Sequence, residues 1–264
     1  IDATANHPLY TFNGWRLLEN LQPGDMIAVP RRIPIEGQRE WPDHAVIVLG
    51  HLLAEGNLCH PHGAYYYTAD PEQLADYVSN LEQFDNTVAT VARHKKAFSV
   101  YSRRTDRSRE AGAVTWLRQL GVWGKTAREK EIPAEAFELT SRQIALLLAR
   151  LWEGDGHINE KGRSLFYATA SERLARQVQH LLLRLGILSR VRTVEFPYRD
   201  GRTGYQVFVT GAEAICRFYE TIGVQFASAT RRESLARMAA LAPETFSTKD
   251  VVPLQIKTLV RAHK

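Results

Sequence analysis

The chain has 264 residues, 44% hydrophobic and 24% charged, with a formal net charge of +5; this leaves room for one large or two small globular domains and admits a polyanionic partner. No apolar run is long and clean enough to span a membrane. The two cysteines, Cys59 and Cys216, have neither metal-site nor framework spacing, so zinc modules and disulfide scaffolds are excluded and a reduced, cytoplasmic setting is expected.

In chain order, residues 1–36 predict a small β-rich segment with a turn at Pro23-Gly24-Asp25. An apolar helix over 43–54 then ends at Glu55 and Gly56, where glycine is an ordinary helix terminator. A strand over 64–68 follows, then a helix over 71–83, strands in "TVATVARHK" and "KAFSVYSR", and a helix over 112–121. The second half repeats this series. A helix over 141–154 ends at Asp155 and Gly156, and a strand (164–169) and a helix (171–186) follow. The strands "RVRTVEFPYR" and "TGYQVFVTG" are joined by the turn signal "RDGRTG", before a last helix over 211–222. This order, twice over, is an α+β pattern.

Gly56 and Gly156 lie 100 residues apart, as do Glu55 and Asp155, and "YYYTADPEQLADYV" falls on "LFYATASERLARQV" at the same offset without a gap. A carboxylate in the last turn of a helix is unfavourable, because the carbonyl end is already partly negative. Two such ends paired about a pseudo-twofold axis would bring Glu55 beside Asp155, and their repulsion calls for a cation. Carboxylate and helix-end carbonyl oxygens, the latter from Ala54 and Gly154, suit Mg²⁺ and not zinc. The small Ala54 and Gly154 would also let the helix ends approach closely. His44, His51, His60 and His62 lack a convincing partner set and are expected at the surface or in packing.

Val48 to Gly56 and Leu148 to Gly156 resemble the nonapeptide of the two-motif LAGLIDADG homing endonucleases, over roughly residues 40 to 240. Glu55 stands where Asp is usual, and Arg150 where a small residue is common. The resemblance implies two halves of αββαββα type, 37–140 and 141–242, whose antiparallel sheets form a saddle over a long, non-palindromic duplex DNA site bound by one chain. It implies cleavage of both strands with Mg²⁺ or Mn²⁺ held by Glu55 and Asp155, Ca²⁺ binding without supporting cleavage. "EKEIP" places Lys130 where the family often has a lysine near the metal, and counting from Gly121 and Gly223 makes Arg232 its counterpart. The polar position between first strand and second helix falls on Ala69 and Thr169. Strand alternation makes Arg93, Lys95, Tyr101 and Arg103 in the first half candidate DNA contacts. In the second half the candidates are Lys161, Arg163, Arg190, Arg192, Tyr198, Arg199, Arg202 and Gln206. The alternative function is a DNA- or RNA-binding protein of the same fold that does not cut.

The opening "TANHPLYTFNGWRLLENLQPGDMIAVPR" resembles an intein splicing block with a Thr-x-x-His motif, here Thr4 and His7, and "STKDVVPLQIK" within 243–264 resembles returning splicing-domain sequence. This implies an intein-encoded endonuclease that supports intein mobility. With no Cys or Ser before the block and "RAHK" at the end, splicing by this polypeptide alone is not expected, and a longer parent chain is.

Overall fold

The computed structural model describes residues 3–61, 63–196 and 202–241, without the side chains of Phe196 and Arg202. Tyr198, Arg199, His62 and the segment 243–264 therefore lie outside the described residues. The chain divides into two compact units, the first running to Arg31 and the second starting at Arg32.

In the first unit β1 (Pro8–Thr11) and β2 (Gly14–Leu17) form an antiparallel hairpin in which Thr11 pairs with Gly14. Gly14 has φ +91°, a conformation that only glycine adopts without strain. A bridge from Thr11 to Ile27 adds the following segment to the hairpin. Residues 33–35 belong to the second unit, since the Ile33 amide donates to Leu183 O at 3.2 Å and Arg184 donates to Ile35 O at 3.2 Å.

The second unit runs α1 (Asp43–Glu55), β3 (Gly56–Asn57), β4 (Tyr65–Thr68), α2 (Pro71–Leu81), β5 (Thr87–Arg93), β6 (Phe98–Arg104) and α3 (Gly112–Gln119). The series then recurs as α4 (Ser141–Asp155), β7 (Gly156–Asn159), β8 (Ser164–Thr169), α5 (Glu172–Arg184), β9 (Ser189–Phe196), β10 (Arg202–Val209) and α6 (Ala212–Thr221). A further helix, α7 (Ala229–Ala240), follows. The sheets have the orders β3-β4-β6-β5 and β7-β8-β10-β9, every pairing antiparallel. The fold is α+β, with two halves of the same αββαββα topology.

Three strands or α-helices exceed those read from the residue patterns, β3, β7 and α7; the αββαββα resemblance implied the two strands. The two strands begin at the glycines after the acids, with no loop. Gly56 and Gly156 are extended, with φ −89° and −87°, and not the left-handed helix terminators expected. Glycine is required for closeness instead. A Cβ on Gly56 would lie 2.4 Å from Leu52 O, and one on Gly156 would lie 2.2 Å from Trp152 O.

The gap-free repeat is corrected by one residue. Gly56 pairs with Tyr66, but Gly156 pairs with Tyr167, so the second hairpin is one residue longer. Tyr66 and Tyr167 are the matching buried pair, while Tyr67 is 42% exposed. The helix caps agree. Asp70 accepts from the amides of Glu72 and Gln73, and Ser171 from that of Leu174. The polar position before each cap is accordingly Thr68 and Thr169, not Ala69 and Thr169. Both hydroxyls accept a backbone N–H two residues on, at 3.1 and 3.2 Å.

Helices α1 and α4 are the centre of the core. Every residue from Ala45 to Ala54 and from Gln143 to Glu153 is buried, as befits helices covered on all sides. They touch at small residues. A Cβ on Gly154 would lie 2.6 Å from that of Ala54, and one on Gly50 would lie 2.6 Å from that of Arg150. Gly50 thus supplies the space that Arg150 removes from the same contact. Gly50→Val should destabilise the protein by about 1–3 kcal/mol through overpacking; thermal melting checks this, and an unchanged midpoint would contradict the packing.

Candidate metal centre and nucleic-acid interface

The site is built where α1 and α4 end side by side. A Cβ on Gly154 would meet the Glu55 Cγ at 3.0 Å, so the Glu55 side chain lies against the end of the opposite helix. Asp155 is half-buried and Glu55 exposed. Burial, then the charge of Glu55, pushes the Asp155 carboxyl up to about 7, while Lys130 opposes the shift. Lys130 therefore offsets the pair only in part.

Lys130 is buried and donates through Nζ to Ala54 O at 2.8 Å. Burial pulls its ammonium below the usual range, and the charges of Asp155 and Glu55 hold it up. The lysine and the first helix-end carbonyl are therefore joined to each other, and Ala54 O is already occupied as an acceptor. On the other side the expected counterpart, Arg232, donates to Phe226 O at 2.7 Å. Its neighbour Arg231 reaches the end of α4 instead, with bonds to Trp152 O at 2.8 Å and Gly156 O at 2.7 Å. Neither acceptor is Gly154 O, the position that matches Ala54 O, so Arg231 reaches the end of α4 without repeating the Lys130 contact.

Among the described residues no three His, Cys, Asp or Glu side chains converge as a metal cluster. The oxygens that a cation could take without sharing an acceptor with Lys130 are the two carboxylates and the Gly154 carbonyl, with water to complete the shell. That set of hard oxygens fits Mg²⁺, which usually keeps several waters and takes one or two carboxylates. The histidines serve otherwise. His44 packs edge-on against Phe84, His60 against Tyr65, and His51 Nε2 lies 2.8 Å from Asp76 Oδ2.

Strands β3 and β7 are sheet edges that start at the acids, so the two sheets extend outward from the site. In the second sheet Leu165, Tyr167 and Val207 face the core. The register puts Phe166, Gln206, Phe208, Arg190 and Arg192 on the opposite, open face, Arg190 pairing with Phe208 and Arg192 with Gln206. Rings run along this face from His157 to Phe166 (4.7 Å) and on to Phe208 (4.9 Å), and the Arg192 guanidinium lies 4.6 Å from the Phe208 ring centre. Lys161 and Arg163 are exposed in the β7–β8 turn. In the first sheet Tyr66 and Val100 face the core, which leaves Tyr101 and Arg103 on the open face. Arg93 pairs with Phe98 on the other face, its guanidinium 5.9 Å from that ring centre, and Lys95 sits in the β5–β6 turn. The four first-half candidates thus do not share one surface. Thr4 and His7 are exposed in the first unit, and Thr4 Oγ1 donates to Asn6 Oδ1 at 2.7 Å.

Residues 142–223 match the LAGLIDADG-like domain model. Replicative DNA helicase DnaB of Rhodothermus marinus is 39% identical over 247 residues, 89% of this chain and 26% of that protein. Protein RecA of Mycobacterium tuberculosis is 29% identical over 238 residues, 83% of this chain and 30% of that protein. The chain spans about a quarter to a third of the length of these relatives. I-DmoI in complex with DNA and Ca is similar with a TM-score of 0.48 at 9% identity, over 74% of this chain and 96% of that one. Full-length DUF199/WhiA from Thermatoga maritima has a TM-score of 0.48 at 11% identity, over 86% of this chain and 70% of that one. No helix among the described residues is long and apolar enough to cross a membrane. The part of the chain that is similar to the LAGLIDADG-like domain model is thus the second half, and the first half repeats its topology.

Proposed function

We propose that the chain is a site-specific DNA endonuclease that hydrolyses both strands of a long, non-palindromic duplex. The observation that carries this reading is the pair of acids, Glu55 and Asp155, at adjoining ends of two buried helices from which two sheets extend. A pure binder has no need of two carboxylates held together at an energetic cost. Glu55, Asp155 and the Gly154 carbonyl would hold Mg²⁺ or Mn²⁺, which would supply Lewis acidity and an activated water for phosphodiester hydrolysis. Lys130 is placed to offset negative charge developing on the phosphate. Arg190, Arg192 and Gln206 share a face suited to reading guanine and adenine edges in the major groove. Ca²⁺ would bind without supporting cleavage.

The segment resembles parts of DnaB and of RecA, each over a minor share of its length. That supports a mobile insertion, of the intein type, over a domain belonging to either host's own activity. The first unit, with Thr4 and His7, would then be splicing-domain sequence, and the endonuclease would act on chromosomal DNA in the cytoplasm.

One observation favours a second reading. The Lys130 ammonium, bonded to Ala54 O, already gives the acids a positive neighbour, so a non-cleaving nucleic-acid-binding form is coherent without metal. Incubation with a randomised duplex library and Mg²⁺, with recovery of cut ends, decides between them. Specific binding with no cut product at any metal concentration selects the second reading.

If binding makes about six to ten phosphate contacts, affinity should fall roughly 10³–10⁵-fold between about 50 and 200 mM salt. A flat response on duplex DNA would count against the saddle. Arg192→Ala should relax preference in one half-site only, by about 1–3 kcal/mol for a lost bidentate contact, and one protein chain should sediment with each duplex. Equal effects in both half-sites, or two chains per duplex, would contradict a single-chain asymmetric reader.

A further inference from the structure

The two open faces are related position by position, yet their chemistry differs. Register pairs Tyr101 with Thr90 and Tyr65 in the first sheet, and Phe208 with Arg190 and Phe166 in the second. By the same registers Ala92 stands where the second sheet has Arg192, and Ser99 where it has Gln206. Ser99 is moreover engaged by His94, whose Nε2 lies 3.0 Å from its hydroxyl. The centre of the first face is therefore methyl, hydroxyl and ring: Thr90, Ala92, Tyr65, Tyr67 and Tyr101, with the His60 ring packed 4.6 Å from Tyr65 and 6.4 Å from Tyr101. The rings form one patch, with Tyr65 4.9 Å from Tyr101 and 6.3 Å from Tyr67. Among the described residues the lysines and arginines of this face lie at its ends, exposed Arg103 along β6 and exposed Lys95 and Lys96 in the β5–β6 turn.

We infer that the first sheet reads thymine C5-methyl groups in the major groove of its half-site, whereas the second reads purine edges by hydrogen bonding. This rests on the DNA-binding reading above and adds the chemistry of the target. Thymine is the base that presents a methyl group in that groove, and small apolar and aromatic side chains are its complement. A neutral strip between terminal cations matches a groove floor of methyls between two rows of phosphates. Guanine at these positions would meet a hydroxyl or a methyl in place of Arg190 or Arg192, and so would lose the bidentate partner that its N7 and O6 take in the second sheet.

The test starts from duplexes selected out of a randomised library by the intact chain. Arg192→Ala marks which half-site belongs to the second sheet. Thymines of the other half-site are then replaced by uracil, which keeps every hydrogen-bonding group and removes only the methyl. Binding should weaken about fourfold for each contacted methyl lost, the equivalent of one buried methylene at roughly 0.8 kcal/mol. The same replacement in the second half-site should change affinity less than twofold. Absence of thymine enrichment in the first half-site, or equal uracil effects in both, overturns the inference and leaves the endonuclease reading intact. If no sequence is enriched and duplex DNA is not bound, both fall together.

Discussion

Asp155→Asn should reduce metal-dependent cleavage by at least about 100-fold, the scale of losing one preorganised electrostatic group, while DNA binding stays within a few-fold. The acid ends α4 against Glu55, and the backbone that holds it is fixed by the buried run Gln143–Glu153 and by Arg231 on Trp152 O and Gly156 O. Asparagine keeps the shape and removes the charge. Without a cation the substitution should also stabilise the fold, and the sign follows from the raised carboxyl. A carboxyl lifted from 3.8 to about 7 contributes its stability below the unfolded value and loses it as pH rises through the folded value. In EDTA the gain of the variant should be small near pH 4 and largest above about pH 7. Digestion and gel shift on one target, with melting curves at both pH values, test this. Full cutting activity in the variant would end the two-carboxylate mechanism.

Arg150→Ala should be the most destabilising single change, by about 3–5 kcal/mol, because it takes the guanidinium from half-buried Asp76 and buried Glu153 and leaves them the bonds from His51 and the Ser228 amide. Arg150 is 5% exposed. It donates to both oxygens of Asp76, at 2.7 and 3.1 Å, lies 3.4 Å from Glu153, and bonds Gln225 O. Burial pushes Asp76 up, but the bonds from His51 and Arg150 outweigh it and hold that carboxyl below its usual range. Burial also pushes His51 below the ordinary histidine range. Both shifts have the same sign: the stability is present above the unfolded values and lost as pH falls. The wild type should weaken in acid first through His51 and then through Asp76. Arg150→Ala should show a smaller Asp76 contribution. Urea denaturation from pH 7 to pH 3 measures this, and a loss below 1 kcal/mol at pH 7 would refute the network's role. Restored stability in Arg150→Met with Asp76→Leu would identify unpaired charge, not lost volume, as the cause.

The paired acids were legible in the sequence because each depends on local signals: an apolar run of helical length, a carboxylate in its last turn, a glycine after it. Repetition of that unit carried the two-half α+β plan and the meeting of Ala54 with Gly154. The order of the longer strands and helices was legible for the same reason, since periodicity accumulates over many residues. Strands β3 and β7 were implied by the motif resemblance but not by periodicity, because two to four residues hold too little alternation to register.

Only the tertiary structure decided the one-residue shift between the halves. Five identities at a constant offset outweighed it in the sequence, whereas cap geometry and cross-strand pairing fix it in space. The structure also decided that Arg231 reaches the end of α4 while Arg232 bonds Phe226 O, because a one-residue step turns a helical side chain by about 100° and sends it to a different neighbour. The sequence left Arg93 among the candidates of a face that residue does not share, since one step along a strand reverses the side-chain direction. Chain distance sets which residues can form an element, but the side a residue presents depends on register, and register is settled by the partner strand and the core.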